Sequence, residues 1–283
     1  MITDIVIVPG APLLLPEYQG RVAAAPGLLE SCVGVVREAV GSAHHVVVVH
    51  ATDRDPRSTK PAVGLRVADH LLAATHENFD VEHVAVPWDA TVEECVIAGH
   101  ALVGRFHDRW PTGSRSGSAF ASTDDAKAPP IAPDGDAKTH PFASDGEAKG
   151  SVFASQGEAK APSGAIPRET PATTLLVVAD GSARRTEKAP GHLDERALSV
   201  DDAIVGAIRG SGDGSLDRLL DLDVELCADL LVAGRAPLQG LAAAVRASAG
   251  SAEGERAAYR VEQLEVSDPF GVLYVVAHLR ATS

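Results

Sequence analysis

A chain of 283 residues with an apolar fraction of 45% has material for one large α/β core or two smaller ones. Its 25 basic and 39 acidic side chains leave a formal net charge of -14, and 4% of the residues are aromatic. Neither a basic face nor a set of stacking platforms is supplied, which excludes nucleic acid as a partner.

Taken in chain order, MITDIVIVPG turns apolar at once, lacks a basic leader and is broken by Pro9 and Gly10. It reads as a first strand, Ile5 to Val8, and not as a signal peptide. The following PGAPLLLPE holds three prolines that stiffen an exit loop from Pro9 to Pro16, where Gly10 permits close packing or an unusual backbone angle. From Leu28 to Val40 the apolar residues recur at helical spacing. His45 to Val49, HVVVV, supply a second strand, and His50 and Asp53 follow at its end. That pair has the chemistry to chelate a metal or handle a proton, and equally to form a hydrogen-bonded turn.

Gly64 to Ala74 read as a helix buried through Val67, Leu71 and Leu72, and Val81 to Val86 as a third strand. Thr91 with Glu94 forms a capping-box pattern ahead of a helix from Val92 to about Phe106. His100 and His107 stand two turns apart on it, too wide for an i,i+4 metal pair, and read with His76 and His83 as structural or solvent-facing. No apolar run approaches the roughly 20 residues that span a bilayer, so no membrane partner is expected. Cys32, Cys95 and Cys227 are isolated and odd in number, the usage of reduced, buried thiols in a cytoplasmic protein.

Between Thr112 and Thr170 the composition shifts to Ala, Ser, Gly, Pro, Asp and Lys, with a repeat of period 11 marked by Lys127, Lys138, Lys149 and Lys160. That period can specify a helix, but the recurrent Gly, the interrupting prolines and the single large apolar residue per unit deny it a packed face. Residues 112–170 therefore read as a disordered low-complexity insertion, and 1–111 with 171–283 as one domain. Recruitment of a protein partner through the insertion is the reading of a non-catalytic interaction protein.

Thr173 to Ala179 have the composition of a buried central strand, and Asp180-Gly181-Ser182 ends it with a turn. The charged loop beyond, to Glu195, lies where open α/β sheets form their clefts. Arg184, Arg185 and Lys188 could receive an anion there, or the arginines could pair with Glu187, Asp194 or Glu195 to hold the loop. No GxxxxGK[ST] spacing is present. A helix beginning near Leu193, a helical region from Ser215 to Leu231 and a small-residue helix from Ala236 to Ala249 lead to a last strand, Val272 to Ala277. His278 follows without a partner legible in the sequence. Strands alternating with helices predict a single α/β domain with a largely parallel or mixed central sheet flanked by helices.

VVADGSARRTEKAPGHLDERA, with the opening VIVPGAPLLLPE and the closing DPFGVLYVVAHL, resembles the class III extradiol ring-cleavage dioxygenase-like family in its actinobacterial branch. The resemblance covers most of 1–110 and 171–283. It implies a fold around non-haem Fe(II), held by two histidines and a carboxylate, that opens a catechol-like ring with oxygen, and it admits a homodimer. The family's first-loop histidine is replaced here by Gly10, and its proton-transfer histidine by Arg184. His50 matches the region of the second metal histidine, and no carboxylate ligand is assigned. The expectation is an extradiol dioxygenase-like protein with a degraded iron site and a cleft for a small anionic or aromatic molecule around Gly10, His50, Asp53 and Arg184. The alternative is an Fe(II)-dependent dioxygenase that keeps metal through His50, Asp53 and other residues.

Overall fold

Runs of alternating and continuous apolar residues become six strands among the described residues: β1 (Ile2–Val8), β2 (His45–Thr52), β3 (Asp80–Pro87), β4 (Thr173–Val178), β5 (Tyr259–Ser267) and β6 (Tyr274–Ala281). The computed structural model describes residues 1–21, 24–41, 43, 45–55, 59–76, 79–109, 172–249 and 258–282. The expectations for 112–170, repeat included, and for the His107 side chain fall outside what is described.

The strands join in one sheet of order β3-β2-β4-β1-β6-β5. β3, β2, β4 and β1 run parallel, and β6 pairs antiparallel with both β1 and β5. The sheet is thus mixed, four parallel strands extended by an antiparallel hairpin. β5 carries the sequence YRVEQLEVS on the sheet edge, where charges interleave with Val261, Leu264 and Val266. That dilution hid it from a reading of apolar runs.

Helices cover both faces, which is why β4, TTLLVV, is buried at every position. Val6, Val8, Val46, Val48, Leu176 and Val178 face α1 (Pro26–Val40) and α2 (Val63–Ala73). Ile5, Ile7, Val47, Val49, Leu175 and Val177 face the side of α3 (Val92–Arg109), α4 (Ala197–Arg209) and α6 (Arg235–Ser248). The division follows from handedness. The crossovers β1 to β2 and β2 to β3 step the same way along the sheet, and β3 to β4 steps back, so right-handed connections put α3 on the face opposite α1 and α2.

Two local expectations change. The region Ser215 to Leu231 is not one helix: a 3-10 run (Ser215–Asp221) and the short α5 (Val224–Asp229) meet at Asp223, whose carboxylate accepts from Leu226 N at 2.7 Å and starts a new N-terminus. His278 has a partner, since its Nε2 lies 2.8 Å from Asp4 Oδ1, with both side chains buried. The capping box holds as read: Glu94 N donates to Thr91 Oγ1 at 3.2 Å and Thr91 N to the Glu94 carboxylate at 2.8 Å. No helix among the described residues is long and apolar enough to cross a membrane.

Candidate functional site

β4 is inserted between β2 and β1, and the chain leaves it toward the opposite face from the chain leaving its two neighbours. Backbones diverging from adjacent parallel strands leave a crevice at their carboxyl ends, the place where open α/β sheets bind ligands. A cleft of about 460 Å³ occupies it. Gly10, Val178 and Asp180 line its base, Thr52 and Asp53 come from the end of β2, and Ala62 to Gly64 from the start of α2. Tyr18, Lys60, Arg66 and Trp88 bring aromatic and cationic side chains to its walls.

The base is built by close backbone approach. Gly10 N donates to Asp180 Oδ1 at 3.0 Å, and a Cβ on Gly10 would stand 3.2 Å from Val178 Cγ1 and 3.3 Å from Asp180 Oδ2. Beyond Asp180 the chain pairs with the start of β6: Asp180 bridges Tyr274, and Gly181 N donates to Leu273 O at 2.9 Å. On the other flank Gly234 N donates to Asp180 O at 2.9 Å, in a contact so tight that a Cβ on Gly234 would lie 2.5 Å from that oxygen. Asp180 is therefore held from three directions. Arg66 closes one rim, bonded to Glu17 and to Tyr18 Oη at 3.3 Å, with its guanidinium 5.6 Å from the Tyr18 ring centroid.

Burial pushes the Asp180 carboxyl up from 3.8 to about 7, opposed by the Gly10 N–H. The residue is nevertheless not sealed, keeping partial exposure on the cleft side. A carboxyl poised near neutrality can both give and take a proton at physiological pH. Tyr274, across the bridge, stays a phenol, because burial and then the charge of Asp180 push it up to about 12.

The structure brings Gly10 and Asp53 into this cleft and leaves the other expected site residues outside its lining. His50 is buried, and its Nδ1 donates to Ala51 O at 3.1 Å. Desolvation lowers its pKa, so the ring is neutral. It belongs to the α2 face of the sheet, where a Cβ on Gly64 would come within 3.5 Å of His50 Cβ. Arg185 is bound to Asp201 at 2.7 Å and Asp268 at 2.8 Å, and Arg184 to Asp194 at 3.6 Å. Lys188 is exposed on the same loop.

The physical reason for that arrangement is Asp201. Its side chain is 1% exposed and accepts from Ser182 N at 2.8 Å, and a carboxylate so buried needs a counter-ion. Burial raises its pKa, while the Ser182 N–H and Arg185 hold it down. The arginines thus hold the loop, with Asp194 as foreseen and with Asp201 and Asp268 in place of Glu187 and Glu195. In the sequence Asp180 reads only as a turn former. Its signal was an acidic residue set directly at the end of an unbroken apolar strand.

The ferrous centre implied by the resemblance needs three ligands converging on one point. Among the described residues no group of three His, Cys, Asp or Glu does so. Gly10 offers no side-chain donor, His50 lies outside the cleft lining, and Asp180 is engaged by Gly10 N. The described residues do not fit the metal. Comparison with protein-family models and with curated proteins gave no match.

Proposed function

We propose that the protein is an extradiol dioxygenase-like α/β protein that binds a small hydroxylated aromatic molecule in this cleft, and that Asp180 exchanges a proton with the bound hydroxyl. The observation that carries the reading is the Asp180 carboxyl, near neutrality at the base of a cleft at the switch point of the sheet. Tyr18 and Trp88 supply flat apolar faces, and Lys60 and Arg66, the latter paired with Glu17, line the walls with polar head groups. The resemblance to the dioxygenase family supports a catechol-like ligand, and the donor set argues for binding and proton exchange without ring opening at iron.

The test is an anaerobic spectrophotometric titration with 4-nitrocatechol, whose absorbance changes on deprotonation. Saturable binding with a spectral shift is expected from the intact protein. Ala233 is exposed and lines the cleft, so Ala233→Trp fills the space without burdening the core and abolishes binding. Unsaturable binding, or binding indifferent to Ala233→Trp, would refute the proposal, and one tightly held Fe(II) per chain would return the protein to iron chemistry.

A further inference from the structure

A second hollow of about 430 Å³ adjoins the first, and its lining is apolar apart from Asp89, Glu225 and Arg235. Val224, Cys227 and Ala228 of α5 form one wall, and Leu231 and Val232 another. Trp88 and Ala233 line both hollows. The two spaces therefore share a partition, with the polar base of one and the apolar walls of the other on either side of it.

The partition is fixed from its backbone. Trp88 N donates to Thr52 O at 2.9 Å, and Trp88 O accepts from the guanidinium of Arg235 at 2.6 Å. Arg235 is itself only 2% exposed and is braced by Gln239 Oε1 at 2.8 Å. Yet the indole above this clamp is 47% exposed. Leu231 is 48% exposed and holds a φ of 56°, a left-handed conformation disfavoured for a branched side chain. The turn it begins is pressed onto Asp180 through Gly234, so the same backbone that shapes the first cleft presents Leu231 and Ala233 to the second. Two large apolar side chains held in the open beside an apolar hollow lose contact with water when an apolar group enters.

We infer that the two hollows form one bipartite site for an elongated ligand, whose hydroxylated ring lies toward Asp180 and whose apolar substituent passes Trp88 into the space between α5 and Leu231. The inference rests on the proposed function for the ring end and adds the substrate class: an alkyl- or aryl-substituted phenol or catechol in place of the unsubstituted ring. Taken together the two hollows fall within the range of about 300–1,000 Å³ found for sites that hold drug-sized ligands, which are larger than one ring.

The test compares catechol, 4-butylcatechol and butylbenzene on the full-length protein carrying Trp110→Phe, which leaves Trp88 as the only tryptophan. Fluorescence of Trp88 is read during titration of this single-tryptophan parent, and every affinity, those of further variants included, is measured by calorimetry. Burial of the butyl chain is expected to make 4-butylcatechol at least about tenfold tighter than catechol and to shift Trp88 emission to the blue. Ala228 is exposed on α5 and lines only the second hollow, so Ala228→Trp removes the gain while leaving catechol affinity unchanged. Equal affinity for the two catechols, or a gain that survives Ala228→Trp, overturns the bipartite site. Butylbenzene binding that Ala228→Trp abolishes, with no catechol binding, supports the apolar half and refutes the hydroxyl-binding role of the first cleft.

Discussion

Replacing Asp180 by Asn isolates the physical cost of the candidate proton-exchange group. The amide oxygen still accepts from Gly10 N, so the geometry at the base of the cleft is kept while the charge is removed. Burial lifts this carboxyl from 3.8 to about 7. Between those values the unfolded chain has released the proton that the folded protein still binds, so stability falls as pH rises. The stabilising contribution of the neutral acid is complete below the unfolded value and is lost as pH passes the folded one.

At about 1.36 kcal/mol per pH unit, the full difference is on the order of 4 kcal/mol, an upper figure because water in the cleft solvates part of the carboxylate. Urea unfolding of the two proteins at pH 4, 5, 6, 7 and 8 measures it directly. Asp180→Asn is expected to gain on the parent steadily from about pH 4 to about pH 7 and to hold a constant advantage above that, and other titrating groups cancel in the difference. A gap independent of pH would refute the buried-acid argument, and with it the basis for proton exchange at this position.

The charged loop makes the opposite kind of prediction. Arg185→Met leaves Asp201 buried without its counter-ion, so it is expected to cost about 3 kcal/mol or more in urea unfolding and to leave 4-nitrocatechol affinity unchanged; lost affinity in folded protein would restore the arginine to the site. For Asp4, burial raises the pKa, but hydrogen bonds from His278, Arg280 and Thr3 outweigh it and the net shift is downward. Its stability contribution is therefore present above the ordinary carboxylate pKa and lost as pH falls through the depressed one, and Asp4→Asn should unfold with a weaker acid dependence than the parent below about pH 4. Thr91→Ala removes the hydroxyl that caps α3 and is expected to cost about 1 kcal/mol, measured by thermal unfolding, with ligand binding unaffected.

Much of the architecture was carried by short-range pattern. Continuous valines and leucines in β2 and β4 marked strands buried on both faces, the spacing of Leu28 to Val40 marked α1, and Thr91 with Glu94 marked the start of α3. These signals are local because propensity, periodicity and capping act over a few residues. Gly10 and Asp53 were likewise legible as residues at strand ends.

The remainder depended on which distant segments meet. β4 lies between β2 and β1 although it follows both in the chain, and that insertion makes the crevice and buries Asp180. The turn at Leu231 to Gly234 reaches Asp180 only in the folded molecule, and His278 finds Asp4 across 274 positions. Sequence alone showed that the charged loop after β4 held both acids and bases. Tertiary structure decided that Asp201, Asp194 and Asp268 take the arginines while Asp180 is left facing the cleft, because desolvation and pairing are set by neighbours that no local spacing encodes.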